Sequence, residues 1–238
     1  RMLVSDAFSV AIMASVVNPM ADLDGNLHSL YQLLLALKSF EKRPEIIFLS
    51  SAGVYGNPRQ LPVRESDVAA PMSPYGLHKH MGEELCEYYN RIHGYHIRSI
   101  RIFSAYGNGL RKQLLWDIYQ KYQNTGRIEL FGTGEETRDF IHVSDIMRAI
   151  DLILSYDGPE TVINVANGEE VSIRELAEIY AEKLGAPQNI VSFNGAVKEG
   201  DPRNWRADIS LLRKLGYEKQ MELSDGIAAY VDWAKAQD

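Results

Sequence analysis

Residues 44–53 read Pro44-Glu45-Ile46-Ile47-Phe48-Leu49-Ser50-Ser51-Ala52-Gly53. Four consecutive apolar residues after a proline, closed by small residues, predict a short strand buried on both faces. Upstream, Leu27, Leu30, Leu33, Leu34 and Leu37 recur at helical spacing, predicting a helix over 27–40 that ends before Pro44. Downstream, Ser73 is a candidate N-cap and Pro74 suits the first helical position, so a helix is expected from there to about Ile92, stopping at Gly94. Residues 97–103 form the next strand, interrupted by Arg98 and Arg101. Helices alternating with buried strands predict an α/β fold with a parallel sheet, whose ligands bind at the carboxyl ends of the strands. Ser50-Ser51 and Phe103-Ser104 fall at two such ends.

Beyond Gly107 the texture changes. Helices are expected over 114–122, 143–154 and 172–184, the last opened by a Ser172/Glu175 capping box, with short strands at 128–131 and 162–165 and one or two helices in the tail. The boundary is read near residue 102, giving a unit 1–102 and a unit 103–238, with the chain crossing back into the first sheet around 161–166.

Composition narrows the function classes. The chain has 238 residues, 45% hydrophobic and 24% charged, which suits a folded globular protein. Its formal charge of −7 disfavours nucleic acid as a partner, which would need a basic footprint. No apolar run approaches the roughly 18 residues of a membrane span, and no secretory signal is visible. A single cysteine, Cys86, permits no internal disulfide and points to a reducing compartment, the cytoplasm. No metal site is read: His78 and His80, like His93 and His96, lack an accompanying carboxylate cluster and are expected on helix surface. Trp116, Trp205 and Trp233 are expected to pack.

The sharpest local motif is Ser73-Pro74-Tyr75-Gly76-Leu77-His78-Lys79. Tyr75 and Lys79, four apart, share a helix face. An ammonium beside a phenol favours phenolate and brings the group toward neutral-pH acid/base work. By itself a Tyr-x-x-x-Lys pair also arises as a chance surface contact. Ser51 at the nearby strand end supplies a hydroxyl for the same substrate oxygen.

These residues, with others in order, resemble the NAD-dependent epimerase/dehydratase family, extended short-chain dehydrogenase/reductases acting on nucleotide sugars, in its UDP-glucose 4-epimerase-like branch. The likeness runs from about Pro19 to Trp233. It includes Asp24-Gly25-Asn26-Leu27, Ser51 ahead of Val54-Tyr55-Gly56, Tyr75 with Lys79, Arg101-Ile102-Phe103-Ser104-Ala105-Tyr106-Gly107, Phe131-Gly132-Thr133-Gly134, Thr137-Arg138-Asp139-Phe140-Ile141-His142-Val143-Ser144-Asp145, Asn164-Val165-Ala166 and Glu199-Gly200-Asp201-Pro202.

The resemblance implies a Rossmann-like doubly wound parallel sheet, with its N-terminal strands missing from this chain, and a smaller α/β C-terminal substrate domain. It implies Ser51, Tyr75, Lys79 and Asn26 as catalytic residues. It assigns Ser50, Tyr75, Lys79 and Phe103 to NAD, and Ser104, Gln113, Arg138, Lys198 and Asp201 to a nucleotide-diphosphate sugar, Arg138 clamping the diphosphate with its guanidinium fork. It also implies a homodimer through a four-helix bundle built from helices 27–40 and 75–92, with Leu33, Leu37, Leu85, Tyr88 and Tyr89 as the apolar face; burial within one chain predicts the same pattern. Polysaccharide synthesis is the family-level setting.

Three departures stand out. Ser104 replaces the more usual asparagine. The segment before Asn26 matches poorly. No G-x-G-x-x-G or G-x-x-G-x-x-G occurs in the chain, so about 60–80 residues of βαβ structure are expected ahead of it, and a chain that truly started at Arg1 is expected to bind NAD badly. The positions after Ser51 are Ala52 and Gly53, where eliminating or decarboxylating members carry an acid. This favours 4-epimerisation through a transient 4-keto sugar over 4,6-dehydration or reduction. A non-catalytic nucleotide-sugar-binding protein is the remaining alternative.

Overall fold

The computed structural model describes residues 3–5, 12–196 and 202–237. In chain order it begins with β1 (Leu3–Ser5), α1 (Ile12–Val17), α2 (Pro19–Leu23), a π-helical turn (Asp24–His28) and α3 (Ser29–Leu37). Then come β2 (Ile46–Ser51), a 3-10 turn (Ala52–Tyr55), α4 (Pro74–His93), β3 (Ile97–Ile102), β4 (Ser104–Tyr106) and α5 (Gln113–Thr125). β5 (Ile128–Leu130), β6 (Thr137–Arg138), β7 (Phe140–His142), α6 (Val143–Leu154) and β8 (Val162–Val165) follow. The chain closes with β9 (Val171–Ser172), α7 (Ile173–Leu184), β10 (Val191–Phe193), α8 (Ser210–Lys214) and α9 (Leu223–Lys235).

The main sheet runs β1-β2-β3-β8, every neighbouring pair parallel. Alternation along β2 divides its side chains between two layers. Ile46 and Phe48 join Leu30, Leu34, Cys86, Tyr89 and Ile97 beneath α3 and α4, whereas Ile47 packs with Ile100, Ile146, Ile150, Ile163 and Leu212 on the other face. A sheet covered on both faces explains the unbroken apolar run at 46–49. It is the doubly wound α/β arrangement that the sequence predicts. A further core, with Tyr106, Ile118, Tyr119, Ile128, Tyr180 and Tyr230 among its members, joins α5, α7 and α9.

Several expectations need correction. The helix expected over 27–40 is part of a longer helical run. Asn18 caps α2, accepting from the Ala21 N–H at 3.1 Å, Pro19 occupies its first turn, and the run continues through the π-helical turn to Leu37. Leu3–Ser5, too short to carry periodicity, is a strand that pattern reading missed. The apolar face assigned to helix pairing is largely used within the chain: Leu37 and Tyr89 are buried, and Leu33 and Leu85 pack against the same core. Cys86 is buried as expected, and burial pushes its thiol up to about 12.

Candidate active site

The carboxyl end of β2 carries two serines that leave on opposite faces. Ser50 is buried and donates to Glu83 Oε1 on α4 at 2.5 Å. Glu83 also receives Arg101 of β3 through Nε at 2.9 Å and Nη2 at 2.7 Å. This fork binds α4 to two strands, and it explains why an arginine interrupts β3. Among charge partners buried at this depth, such bidentate geometry is what offsets desolvation. The hydroxyl of Ser50 is thus occupied by Glu83.

Ser51 caps the 3-10 turn, accepting from the Gly53 N–H at 3.1 Å and leaving its own hydrogen to donate. Across Gly53 stands Tyr75. A Cβ on Gly53 would lie 3.4 Å from Ser51 Oγ and 3.6 Å from Tyr75 Cδ1, so hydroxyl and ring flank the same glycine. Helix α4 begins there because Ser73 Oγ accepts from the Gly76 N–H at 3.1 Å and Pro74 needs no donor in the first turn. The Tyr75 N–H donates to Ser15 Oγ of α1 at 3.1 Å.

One turn along α4, Lys79 is 2% exposed, and its Nζ donates to the Leu49 carbonyl of β2 at 2.9 Å. The ammonium lies 5.7 Å from the Tyr75 ring centroid and 5.3 Å from that of Phe48. The cation and the half-buried phenol ring are thus neighbours one turn apart on α4. Asn26 lies in the π-helical turn, which packs against α4. Its Nδ2 donates to the carbonyl and to Oδ1 of Asp22, each at 3.0 Å, and its own Oδ1 is buried with no hydrogen-bond partner among the described residues.

His78 is not on the surface. It is buried, with Nδ1 2.5 Å from Oδ2 of the fully buried Asp22. His80 is half-buried with Nδ1 3.6 Å from Glu83 Oε2, and His93 packs on Tyr88 and Tyr89. Nothing in the local sequence reveals the His78 contact, because Asp22 stands 56 positions earlier.

A second group gathers around Trp205, whose indole N–H donates to the Gly56 carbonyl at 3.0 Å. Phe103 packs edge-on to this indole at 6.1 Å, and the Arg138 guanidinium lies 5.3 Å from its ring. Arg138 is buried and donates from Nη1 to the carbonyls of Thr137 at 2.8 Å and Arg203 at 3.1 Å. The neighbouring acids face backbone donors. Glu136 accepts from Thr133 and Gly134, and Asp139 accepts from Asn167 (3.0 Å), Gly168 (3.0 Å) and Ala207 (3.1 Å). Burial nonetheless pushes Asp139 up to about 7. Ser104 is half-buried and donates its N–H to the Asp139 carbonyl at 2.9 Å, one residue from Arg138. Gln113 is exposed at the first residue of α5 with φ of 66°, and no hydrogen bond among the described residues joins it to Arg138 or Ser104. Lys198 and Asp201 lie outside the described residues.

Two centres therefore lie at strand ends. Ser51, Tyr75 and Lys79 stand together at β2. Phe103, Ser104 and Arg138 follow β3, and the Ser51↔Ile102 register sets the two strand ends side by side. The buried ammonium and the half-buried phenol at this strand end fit the nicotinamide–ribose half of a dinucleotide, which Tyr75 and Lys79 would hold.

The family model for the NAD dependent epimerase/dehydratase family matches residues 5–166. A Methanocaldococcus jannaschii protein, provisionally named UDP-glucose 4-epimerase, is 31% identical, the match covering 99% of this chain and 77% of that relative. Among solved structures, UDP-N-acetylglucosamine 4-epimerase from Methanobrevibacter ruminantium, in complex with UDP-N-acetylmuramic acid, superposes with a TM-score of 0.90 at 26% identity, covering 100% of this chain and 77% of its own. UDP-glucuronic acid 4-epimerase from Bacillus cereus, in complex with UDP-glucuronic acid and NAD, gives a TM-score of 0.83 at 29% identity, with 91% of this chain and 69% of that chain covered. Fold, strand-end chemistry and sequence likeness agree: the chain belongs to the NAD dependent epimerase/dehydratase family.

Proposed function

We propose that the protein interconverts UDP-sugars that differ in configuration at C4, using NAD. The observation that carries this reading is the buried Lys79 ammonium, anchored to the Leu49 carbonyl and 5.7 Å from the ring of Tyr75, with Ser51 on the far side of Gly53. NAD, when bound, supplies a reversible acceptor for the hydrogen at sugar C4. The chain's own residues do the rest. Tyr75, as phenolate, takes the C4 hydroxyl proton. Ser51 donates a hydrogen bond to the same oxygen and holds it as it becomes a carbonyl. Lys79 stabilises the phenolate and Asn26 completes the set. Arg138 grips the diphosphate, so that the 4-keto sugar turns about a fixed point and presents its other face. Tyr75 then returns the proton. Phe103 packs near the cofactor, Ser104 and Gln113 border the sugar-nucleotide, and Lys198 and Asp201 contribute to its binding.

Ala52 and Gly53 follow Ser51 with no acidic side chain, and elimination of water needs a further acid/base group. This supports epimerisation over dehydration. The relatives named above are 4-epimerases of UDP-sugars, which supports UDP as the nucleotide.

Two copies are proposed to associate through α3 and α4. Tyr31 and Leu35 on α3, and Leu77, Met81, Tyr88 and Ile92 on α4, are large apolar side chains each more than 40% exposed. On each helix they recur at helical spacing and form one outward stripe.

The test of the catalytic reading is the full-length Tyr75→Phe variant, assayed with UDP-glucose, UDP-N-acetylglucosamine and UDP-glucuronic acid. Wild-type protein yields the C4 epimer at unchanged mass. The variant loses about 10³-fold in kcat, within the range for removing a general acid/base. A product lighter by one water, or a variant as fast as wild type, overturns the proposal.

A further inference from the structure

We infer that Asp22, braced by His78, is a positioning residue that fixes the amide of Asn26. The inference rests on the catalytic reading of Asn26 proposed above.

Asn26 Nδ2 has two hydrogens, and both are directed at Asp22, one to its carbonyl and one to carboxylate Oδ1, each at 3.0 Å. Turning the amide over would set its oxygen against two acceptor oxygens. Asp22 therefore dictates which end of Asn26 faces inward and which is left to act. The end left over is Oδ1, buried and without a hydrogen-bond partner among the described residues. Buried polar atoms in native proteins are almost always paired, so an acceptor left without a donor is open to a ligand or a water.

The carboxylate is held in turn. Its other oxygen, Oδ2, lies 2.5 Å from His78 Nδ1, and Asp22 has no exposure to water. A carboxylate so buried needs a donor on each oxygen, and His78 and Asn26 are the two it has among the described residues. His78 also stands between the reacting groups in sequence, three residues after Tyr75 and immediately before Lys79. The contacts therefore run from the α4 turn that carries Tyr75 and Lys79, through His78 and Asp22, to Asn26 in the π-helical turn. They set that turn in register against α4. No backbone hydrogen bond could do this between two helices.

A double-mutant cycle on the full-length protein tests the inference. Asp22→Ala lowers kcat about tenfold or more, an effect of the size that misplaced catalytic groups produce, and leaves KM within about twofold. In the Asn26→Ala background the same change costs nothing further. Asp22→Asn recovers most of the lost kcat, because its amide oxygen still accepts from Asn26 while its NH2 donates to the other tautomer of His78. Should Asp22→Ala fail to fold, His78→Leu gives the same kcat-selective, Asn26-dependent loss, and His78→Asn, with a donor where Nδ1 stood, restores it. Independently of activity, the Asn26 side-chain amide protons, assigned by NMR from their absence in Asn26→Ala, exchange slowly in wild type and at least tenfold faster in Asp22→Ala. An equal cost in both backgrounds, a loss confined to KM, or unchanged amide exchange overturns the inference. Wild-type turnover in Asn26→Ala sinks the catalytic role of Asn26, and the inference with it. Wild-type turnover in Tyr75→Phe sinks the reaction assignment instead, and amide exchange still decides whether Asp22 holds Asn26.

Discussion

At Asp139 burial and hydrogen bonding pull against each other. It has no exposed surface and accepts three backbone N–H bonds that join the link between β6 and β7 to residues 167–168 and 207. Those donors favour the charged form, yet desolvation prevails and its carboxyl is pushed up to about 7. The folded protein therefore holds this proton more tightly than the unfolded chain, whose carboxyl titrates near about 4. The resulting stability is present in full below the unfolded value and is lost as pH rises through about 7. Urea unfolding of wild type and of Asp139→Asn measures it. The stability of wild type relative to the variant falls between about pH 4 and about pH 7 and is level above that. A difference constant over that range contradicts the assignment. The same scale separates Ser50 from Ser51. Side-chain alternation sends one hydroxyl to Glu83 and leaves the other at the strand tip, so Ser50→Ala, unlike Ser51→Ala, removes a partner from the Glu83–Arg101 pair.

At the scale of elements, the approach of α4 to the 3-10 turn decides whether Ser51 and Tyr75 can act together. A Cβ on Gly76 would sit 2.4 Å from the Gly53 carbonyl oxygen, so the helix and the turn meet only because residue 76 has no side chain. Alanine normally strengthens a helix relative to glycine by about 1 kcal/mol. Gly76→Ala is nevertheless expected to cost about 10²-fold in kcat, because α4 must retreat from the turn. Circular dichroism and single-turnover rates together check this; full activity would show that the turn gives way freely. The elements that declare themselves in the sequence are those with their own caps: α4 behind Ser73-Pro74 and ahead of Gly94, α7 behind Ser172, and α6, whose residues 143–154 hold an apolar stripe throughout. Asp24, Gly25 and Asn26, which precede the helix expected from Leu27, each disfavour helix, and the stretch is helical where it packs against α4. The Tyr75–Lys79 pair is local and so is legible. The Asp22–His78 and Ser50–Glu83–Arg101 contacts join residues distant in sequence, and no spacing rule reaches them.

At the scale of the molecule, the outward stripe on α3 and α4 gathers six exposed large apolar side chains on two neighbouring helices. Replacing Met81 and Ile92 by glutamate together places charges on that stripe at exposed positions, without touching the sheet. Light scattering of the eluting protein is expected to give twice the chain mass for wild type and a single chain mass for the variant; a wild-type monomer, or a variant that still pairs, refutes the α3/α4 association. The route of the chain has its own consequence. It leaves the main sheet at Ile102, the carboxyl end of β3, and re-enters at Val162 of the adjacent β8, opposite Ser99, so the excursion bearing Arg138 is held at both ends of one parallel strand pair. The stretch that carries Arg138 is thus anchored in the same sheet whose β2 end carries Ser51.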